Sequence, residues 1–334
     1  MNTKCNIYFC FIVLLLNTAC AQSKLIRIQS KLPNPGNLNF YFQELDVHQK
    51  NARKKPLVVV LHGCGQSAET IAIQSGWDKL ARENDFYVLY PQQKLINNTN
   101  LCFNWFNAKD VSSNNGEACS IKNMILQLSD SLAIDKSKIF IYGVSAGAAM
   151  SVAMMALYPE IFKAGASFAG APFGCANNFF DAFKVMTEGI DNTPEQWSNS
   201  IFNLHKNTAS VFPKLIVIHG TTDKVVNIKN SYELIEQWTS VHHSDTIADE
   251  KLSPFGSNNN VERITYTNTL HDSIVIFYKI NSLGHALAVD PGDKPKQGGE
   301  TGLFSSDVNF FSTWYIARDF GLILFSDSSQ FHAK

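Results

Sequence analysis

Uninterrupted apolar runs recur along this chain, and polar segments separate them. Short apolar runs that lack polar alternation are typical of strands buried on both faces of a sheet. Turn-forming residues or a proline bound most of these runs. The runs that predict strands are 39–45, 56–61, 86–90, 139–142, 163–169, 214–220 and 272–280.

Helical patterns lie between these predicted strands, at 77–84, 121–132, 148–158 and 231–240. Regular alternation of strand and helix is typical of a mainly parallel sheet with helices on both faces. The sequence therefore predicts an α/β fold. It contains no internal repeat, coiled-coil heptad or glycine-rich phosphate-binding loop.

The segment at 173–211 departs from this alternation. It has an aromatic cluster at Phe179, Phe180 and Phe183, a separate Trp197, and no strong strand pattern. Long connecting segments in compact domains are often functional, so this one is interpretable as a cap over a binding site. A packed surface subdomain is an equally good interpretation, and the sequence leaves both open.

The strand at 139–142 leads into Gly-Val-Ser-Ala-Gly at 143–147 and then into a helix of small residues. This setting is typical of the nucleophile elbow, where a serine projects from a sharp turn between strand and helix. The flanking glycines leave room where the two backbones meet. Ser145 is thus the predicted nucleophile, and an ordinary tight turn is the alternative.

An acid and a histidine follow in the chain order Ser, acid, His that is typical of α/β-hydrolases. Asp223 and His285 each come shortly after a predicted strand. In this interpretation Ser145 attacks an acyl carbon, His285 accepts and later returns a proton, and Asp223 orients the imidazole. Asp290 is the first alternative for the acid.

An acyl-transfer site also needs backbone donors for the developing oxyanion. The N–H of Ala146, directly after the serine, is one expected donor. The second is expected from the loop after the strand at 56–61, where the N–H of Cys64 is preferred and that of Gly65 is the near alternative. His62 in the same loop is interpreted as a support held by hydrogen bonds rather than a proton carrier.

Six short motifs are distributed along the chain. They are His-Gly-Cys-Gly-Gln at 62–66, Cys-Phe-Asn-Trp-Phe at 102–106, Gly-Val-Ser-Ala-Gly at 143–147, Ala-Pro-Phe-Gly-Cys-Ala at 171–176, Gly-His-Ala at 284–286 and Val-Asp-Pro-Gly at 289–292. Together they resemble the poly(3-hydroxybutyrate) depolymerase family of secreted esterases, and the likeness spans roughly residues 32–322. The family belongs to the α/β-hydrolases and is similar to the acetylxylan and feruloyl esterases.

The resemblance implies a serine esterase without a cofactor. It implies the triad Ser145, Asp223 and His285, with Cys64 as an oxyanion donor. It also implies that Trp105 forms a wall of the polyester groove, and Asn104 beside it is taken as a second substrate-binding position.

Length and charge agree with one sizeable catalytic domain, predicted at 22–334. A chain of 334 residues with 45% hydrophobic residues can bury a full core. A net charge of -1 gives no electrostatic reason to expect nucleic acid or an anionic membrane as a partner. We therefore expect a neutral ester substrate. The sequence does not indicate an oligomeric state.

The amino terminus is predicted to be a signal peptide at 1–21. Lys4 precedes an apolar run at 7–16, and Ala-Cys-Ala at 19–21 fits cleavage before Gln22. The run is too short to span a bilayer comfortably, so no integral membrane span is expected. Export to the periplasm or the medium is the preferred interpretation, and a lipoprotein anchored at Cys20 is the alternative.

Export would permit disulfide bonds. Cys64, Cys102, Cys119 and Cys175 remain after processing, and four cysteines allow three connectivities. Cys64 with Cys102 is preferred because it would stiffen the active-site rim, which leaves Cys119 to pair with Cys175. No metal site is expected, since the cysteines lack paired short spacings.

The leading hypothesis is an exported serine esterase that hydrolyses poly(3-hydroxybutyrate) or short hydroxyacyl esters through an acyl-enzyme. A carbohydrate esterase of the acetylxylan or feruloyl type is the nearest alternative. A non-catalytic surface-binding protein on a hydrolase scaffold is the second alternative.

Overall fold

The computed structural model describes residues 25–43, 53–206 and 211–323. The predicted signal peptide at 1–21, with the alternative lipid site at Cys20, lies outside the described residues. The strands are β1 (Leu25–Arg27), β2 (Asn39–Gln43), β3 (Lys55–Leu61), β4 (Tyr87–Gln92), β5 (Ile134–Val144), β6 (Ala164–Phe168), β7 (Lys214–Gly220), β8 (Glu250–Leu252), β9 (Val261–Thr267), β10 (Ser273–Ile280), β11 (Leu287–Val289) and β12 (Ser305–Asp307).

Local signals define where several helices begin. Thr193 and Gln196, for example, form a reciprocal capping box with the backbone at the start of α6. The helices are α1 (Ala68–Ser75), α2 (Trp77–Asn84), α3 (Gly116–Ser131), α4 (Ala146–Leu157), α5 (Phe179–Glu188), α6 (Pro194–Phe202), α7 (Lys229–Val241) and α8 (Ser312–Asp319). No helix in the described ranges is both long enough and apolar enough to cross a membrane.

One sheet dominates the described part of the chain, with the strand order β1-β2-β4-β3-β5-β6-β7-β10-β9-β8. The central strands from β4 to β10 in this order run parallel. The outer strands pair antiparallel. The carboxyl ends of β3, β5, β7 and β10 therefore meet at one edge of the sheet. The predicted α/β fold is confirmed.

The apolar run in β5 shows why these strands lack polar alternation. Ile139 and Ile141 pack into the core on one face of the sheet, and Phe140, Tyr142 and Val144 pack into the core on the other. Helices α3, α4 and α7 contribute to the first core, and α1, α2 and α8 contribute to the second. Each fully buried large apolar side chain contributes about 1.5–3 kcal/mol to stability.

Most predicted elements agree with the structure, with shifts of a few residues at their ends. The strand predicted at 86–90 continues through Pro91 to Gln92, because Pro91 pairs with Phe40 of β2 beyond the residues that pair with β3. The apolar runs did not predict β9, which pairs antiparallel with β10 and extends the sheet beyond its parallel centre.

The segment at 173–211 forms α5 and α6, and its described residues contain no strand. Ala182 and Val185 of α5 are buried. The Trp197 indole N–H of α6 donates to Glu233 Oε2 of α7 at 2.8 Å. The two helices are therefore packed against the body of the domain. Residues 207–210 lie outside the described part of the chain.

Candidate active site

Ser145 occupies a strained turn between β5 and α4. Its φ is 54° and its ψ is -120°, a backbone conformation that few residues other than glycine adopt. A Cβ at Gly143 would collide with the backbone of Gly147, and a Cβ at Gly147 would collide with the backbone that precedes Gly63. The glycines flanking the serine are therefore required by close backbone approach, as the motif predicts.

The structure brings Ser145 and His285 together although 140 positions separate them in the chain. Ser145 Oγ lies 3.0 Å from His285 Nε2. His285 follows β10, and Ser145 follows β5, so both lie at the carboxyl edge of the sheet. This distance allows the hydroxyl to donate its proton to the imidazole.

Asp223, in the loop after β7, completes the arrangement. Its Oδ2 lies 2.7 Å from His285 Nδ1, and its side chain is fully buried. A carboxylate can only accept, so Nδ1 carries the hydrogen and Nε2 is left facing Ser145. Asp290, the alternative acid, instead accepts from Gln297 Nε2 at 3.1 Å.

Several donors converge on the Asp223 carboxylate. Burial alone would raise the pKa of Asp223, but hydrogen bonds from His219 and His285, the charge of His285 and the N–H of Val226 hold that pKa well below its usual range. Oδ1 accepts the N–H groups of Val225 and Val226 at 2.8 and 2.9 Å. The carboxylate is therefore held ionised and oriented.

His219 of β7 is a site residue that the sequence analysis did not identify. Its Nε2 lies 2.9 Å from the Val226 carbonyl and 3.3 Å from Asp223 Oδ2, and its Nδ1 lies 2.6 Å from Ser231 Oγ. Because the carbonyl can only accept, Nε2 carries the hydrogen and Nδ1 accepts from the Ser231 hydroxyl. His219 sits inside an apolar strand, where its sequence position resembles an ordinary buried histidine.

Two backbone N–H groups beside Ser145 are available as donors. Among the described residues, neither the Cys64 N–H nor the Ala146 N–H has a hydrogen-bond partner. The Gly65 N–H donates to the Asn100 carbonyl at 2.8 Å, so the near alternative is already occupied. This arrangement favours Cys64 and Ala146 as the pair that could hold an oxyanion.

His62 supports the loop that carries Cys64. Its Nδ1 donates to the Gly63 carbonyl at 2.8 Å, and its Nε2 accepts the Gln93 N–H at 3.1 Å. Burial lowers the pKa of His62 to about 4, although the bond to the Gly63 carbonyl opposes that shift. A neutral imidazole with both nitrogens engaged has a structural role, in agreement with the loop-support interpretation.

The predicted disulfide between Cys64 and Cys102 is present. It ties the loop after β3 to the segment that contains Asn104. The carboxyl group of Glu117 in α3 anchors this segment. It accepts hydrogen bonds from the Asn104 N–H at 2.8 Å and from Asn104 Nδ2 at 2.7 Å. It also accepts one from Gln93 Nε2 at 2.5 Å. A buried polar network thus supports the covalently linked loops.

The second predicted disulfide, between Cys119 and Cys175, is wrong. Both cysteines are buried free thiols. Cys119 lies on α3, where its Sγ accepts from Asn123 Nδ2 at 3.7 Å. Cys175 lies in a separate apolar cluster with Ala149 and Trp197, and burial raises the pKa of its thiol to about 12.

A pocket of about 160 Å³ opens beside Ser145 and His285. Most of its lining is apolar, which suits a neutral acyl group rather than a charged one. Several residues of the pocket wall were not predicted from the sequence, and they come from segments far apart in the chain. They include Phe168, Met186, Val225 and Phe304.

Neither predicted substrate-binding residue lines this pocket. The Asn104 side chain is occupied, because its Nδ2 donates to Glu117 and its Oδ1 accepts from Asn98 Nδ2 at 2.9 Å. Trp105 is half-buried and packs against two apolar clusters, with its ring in edge contact with Phe106. Within the described residues, these two side chains lie outside the pocket lining and pack around it, and their role in substrate binding stays a prediction.

The described residues contain no group of three or more His, Cys, Asp or Glu side chains that could hold a metal ion. A serine hydroxyl, an imidazole and a carboxylate in hydrogen-bond sequence, next to two free N–H groups, can carry out acyl transfer.

A family model described as "Esterase PHB depolymerase" matches residues 47–248. The chain belongs to the esterase PHB depolymerase family. As a member of this family it is a carboxylic ester hydrolase.

Two relatives of this family member have different named activities. Poly(3-hydroxyalkanoate) depolymerase C of Paucimonas lemoignei is 38% identical over 290 residues, which cover 87% of this chain and 68% of the relative. Feruloyl esterase B of Talaromyces stipitatus is 31% identical over 285 residues, which cover 83% of this chain and 75% of the relative.

Among solved structures, an acetyl xylan esterase from Aspergillus awamori aligns with a TM-score of 0.70 at 23% identity. The alignment covers 78% of this chain and 94% of that one. At this identity the likeness shows a shared fold. This family member therefore has the same overall architecture as the Aspergillus awamori esterase.

Proposed function

We propose that this esterase hydrolyses poly(3-hydroxybutyrate) or short hydroxyacyl ester oligomers, with Ser145, His285 and Asp223 as its catalytic triad. One observation carries the proposal. Ser145 Oγ, His285 and Asp223 Oδ2 form a continuous hydrogen-bonded series, with distances of 3.0 and 2.7 Å, beside an apolar pocket.

In the first half of the reaction, Ser145 Oγ attacks the ester carbonyl carbon while His285 Nε2 takes the hydroxyl proton. Asp223 stabilises the imidazolium that forms. The ester C–O bond then breaks, and His285 gives its proton to the leaving alkoxide. The products of this half are an alcohol and an acyl-enzyme on Ser145.

In the second half, His285 takes a proton from water as the water oxygen attacks the acyl carbon. Collapse of the tetrahedral intermediate returns the proton to Ser145 and releases the carboxylic acid. The N–H groups of Cys64 and Ala146 would stabilise both oxyanions. Each such donor is typically worth about a hundredfold to a thousandfold in rate.

The substrate class is proposed from two features. The pocket walls at Met186, Val225 and Phe304 offer no charged group to a ligand. The 38% identical relative is named a poly(3-hydroxyalkanoate) depolymerase. A neutral aliphatic hydroxyacyl ester suits the first feature and is suggested by the second.

A carbohydrate esterase is the second candidate, because a relative named feruloyl esterase B is 31% identical over 83% of this chain. The same triad would act on a feruloyl or acetyl ester. The two candidates differ in what must lie beside the pocket: a further polyester unit or a sugar. A non-catalytic binding protein is disfavoured, because it has no chemical need for the hydrogen-bonded series at Ser145.

The test compares three substrates under one set of conditions: amorphous poly(3-hydroxybutyrate), feruloylated or acetylated xylan, and a short chromogenic ester. Ser145→Ala serves as the control. We expect hydroxybutyrate release that Ser145→Ala lowers by at least about 10⁴-fold. Activity on xylan esters alone would establish the second candidate and keep the triad, and no activity on any substrate would favour the binding protein.

We also propose that the protein is exported after cleavage before Gln22. The Cys64–Cys102 disulfide supports this, because such bonds persist in oxidising compartments. Mass spectrometry of the protein purified from its native host distinguishes the outcomes. A mature chain that begins at Gln22 supports export as a free protein, and a lipid-modified chain that begins at Cys20 supports the lipoprotein.

A further inference from the structure

The α5 helix exposes an unusual concentration of aromatic side chains. Phe179, Phe180 and Phe183 are 59%, 83% and 55% exposed. We name these three residues the α5 patch. Single exposed apolar residues need no explanation, but adjacent large ones mark interaction sites on soluble proteins.

The rest of α5 explains why the helix stays folded with this patch in water. Ala182 and Val185 on its inner side are buried in the apolar cluster that contains Trp197. At the start of the helix, the Asn178 side chain accepts the N–H groups of Phe180 and Asp181 at 2.9 and 3.0 Å. The patch is therefore displayed on a helix that is capped and anchored.

The α5 patch is continuous with the catalytic pocket. Met186, on the same helix, forms part of the pocket wall. Phe179, Phe183 and Met186 are spaced i, i+4 and i+7, so they lie along one stripe of the helix, about 10 Å long. One end of this stripe is exposed aromatic surface, and the other end is the wall beside Ser145.

Aromatic contacts extend the patch towards the disulfide-linked loop. Phe180 and Phe106 each lie in edge contact with Phe179, with ring centroids 6.1 Å apart in both pairs. Phe106 in turn contacts Trp105 at 5.6 Å. The patch thus joins an aromatic row that begins in the segment just after Cys102.

We propose that the α5 patch is a docking surface for the apolar chains of an insoluble neutral polyester, beside the pocket that cleaves them. This inference rests on the proposed function. Continuity with the pocket favours the substrate itself as the occupant, because a chain lying on the stripe leads directly to Ser145. The patch itself consists of neutral aromatic rings, and the carboxylate of Asp181, next to it on the helix, accepts hydrogen bonds from the Asn177 N–H and Asn178 Nδ2 at 3.3 and 2.8 Å.

The experiment separates docking from cleavage. Adsorption to films of amorphous poly(3-hydroxybutyrate) is measured in the Ser145→Ala background, where the polymer stays intact. The test variant adds Phe180→Ser and Phe183→Ser, which leaves the Phe179–Phe106 contact in place. The matched control adds Leu270→Ser, because Leu270 is 78% exposed in the turn before β10, at the opposite edge of the sheet.

We expect the double substitution to weaken adsorption about tenfold or more, since two large apolar contacts with the polymer are lost. Leu270→Ser should adsorb like its parent. In protein that keeps Ser145, the same double substitution should lower the ratio of polymer hydrolysis to short-ester hydrolysis by a similar factor. Thermal unfolding of all variants shows that each is folded.

Three results would contradict the proposal that the α5 patch docks the polyester. They are unchanged adsorption of the double variant, an equal loss in Leu270→Ser, and concentration-dependent dimerisation that the double substitution abolishes while adsorption stays intact. The last would assign the patch to a second copy of this chain. Release of hydroxybutyrate from the polymer by the unsubstituted protein reports separately on the proposed function, and hydrolysis of the short ester reports on the triad.

Discussion

His219 Nε2 lies 3.3 Å from Asp223 Oδ2, the same carboxylate oxygen that lies 2.7 Å from His285 Nδ1. The carboxylate therefore sits between two imidazoles. Only His285 also reaches Ser145, so the two histidines differ in what they can do. His285 is positioned for proton transfer, and His219 is positioned to fix the carboxylate.

Asp223→Asn should lower kcat by about 10⁴-fold, because an amide at this position can donate to Nδ1 and so favour the wrong imidazole tautomer. Asp290→Asn is the matched control, since Asp290 is bonded to Gln297 rather than to His285. Steady-state kinetics on a short chromogenic ester measures both. A large loss in Asp290→Asn with a mild one in Asp223→Asn would transfer the acid's role to Asp290.

His219→Gln should lower kcat about tenfold and leave KM nearly unchanged. The glutamine amide can place a donor near the position of Nε2, but its oxygen does not lie at the position of Nδ1 that accepts from Ser231 Oγ. The bonds to Asp223 and Val226 therefore lose their fixed geometry, at a cost of about 1–2 kcal/mol. His242→Gln is the control, because His242 is bonded to the Pro213 carbonyl at the far end of α7.

Both histidine variants should unfold at somewhat lower temperature, but only His219→Gln should change kcat. Equal effects of the two substitutions on kcat would show that His219 acts through general stability alone. A loss confined to KM would instead argue against a role in holding the Asp223 carboxylate.

The triad candidates were predictable because of where they lie relative to the strands. Ser145, Asp223 and His285 each follow an apolar run, and the carboxyl ends of parallel strands meet at one edge of a sheet. The apolar runs and the residues that follow them were therefore enough to single out three residues that are far apart in the chain.

The pocket walls and the cysteine pairing were not predictable in this way. Met186 reaches the pocket through the placement of α5, which depends on packing and not on local pattern. Trp105 has the residue type expected of a groove wall, but the sequence does not show which way a side chain points. Cys119 and Cys175 could be paired only by elimination, and elimination assumes that every thiol is oxidised.

Removal of the disulfide by Cys64→Ser and Cys102→Ser should lower both stability and rate. The bond closes a sequence separation of 38, which corresponds to about 4 kcal/mol of unfolded-state entropy. The loop that carries the Cys64 N–H also becomes looser, so kcat should fall about tenfold. Denaturant unfolding and ester kinetics measure the two effects.

Cys119→Ala with Cys175→Ala is the control for the disulfide. This variant should still lose stability when a reductant is added, as the unsubstituted protein does. Alkylation followed by peptide mapping should find Cys64 linked to Cys102 and the other two thiols modified. Recovery of a Cys119–Cys175 peptide would contradict the structure.

Glu117 should make stability depend on pH, because burial raises the pKa of its carboxyl from 4.5 to about 8 despite hydrogen bonds from Asn104 and Gln93, and Asp110 adds to the rise. Between pH 4.5 and about pH 8, Glu117 keeps its proton in the folded protein but has lost it in the unfolded chain. Stability therefore falls as pH rises through this window, by up to about 1.4 kcal/mol per unit.

Glu117→Gln cannot ionise, so its free energy of unfolding should change less with pH between 5 and 8 than that of the unsubstituted protein. It should also be about 1–2 kcal/mol less stable at pH 5, because one amide donor would face the Asn104 N–H. Glu83→Gln removes an exposed carboxylate and should keep the original slope. Parallel slopes for Glu117→Gln and the unsubstituted protein would show that Glu117 is ionised throughout, and that the network beneath the disulfide-linked loops holds a carboxylate.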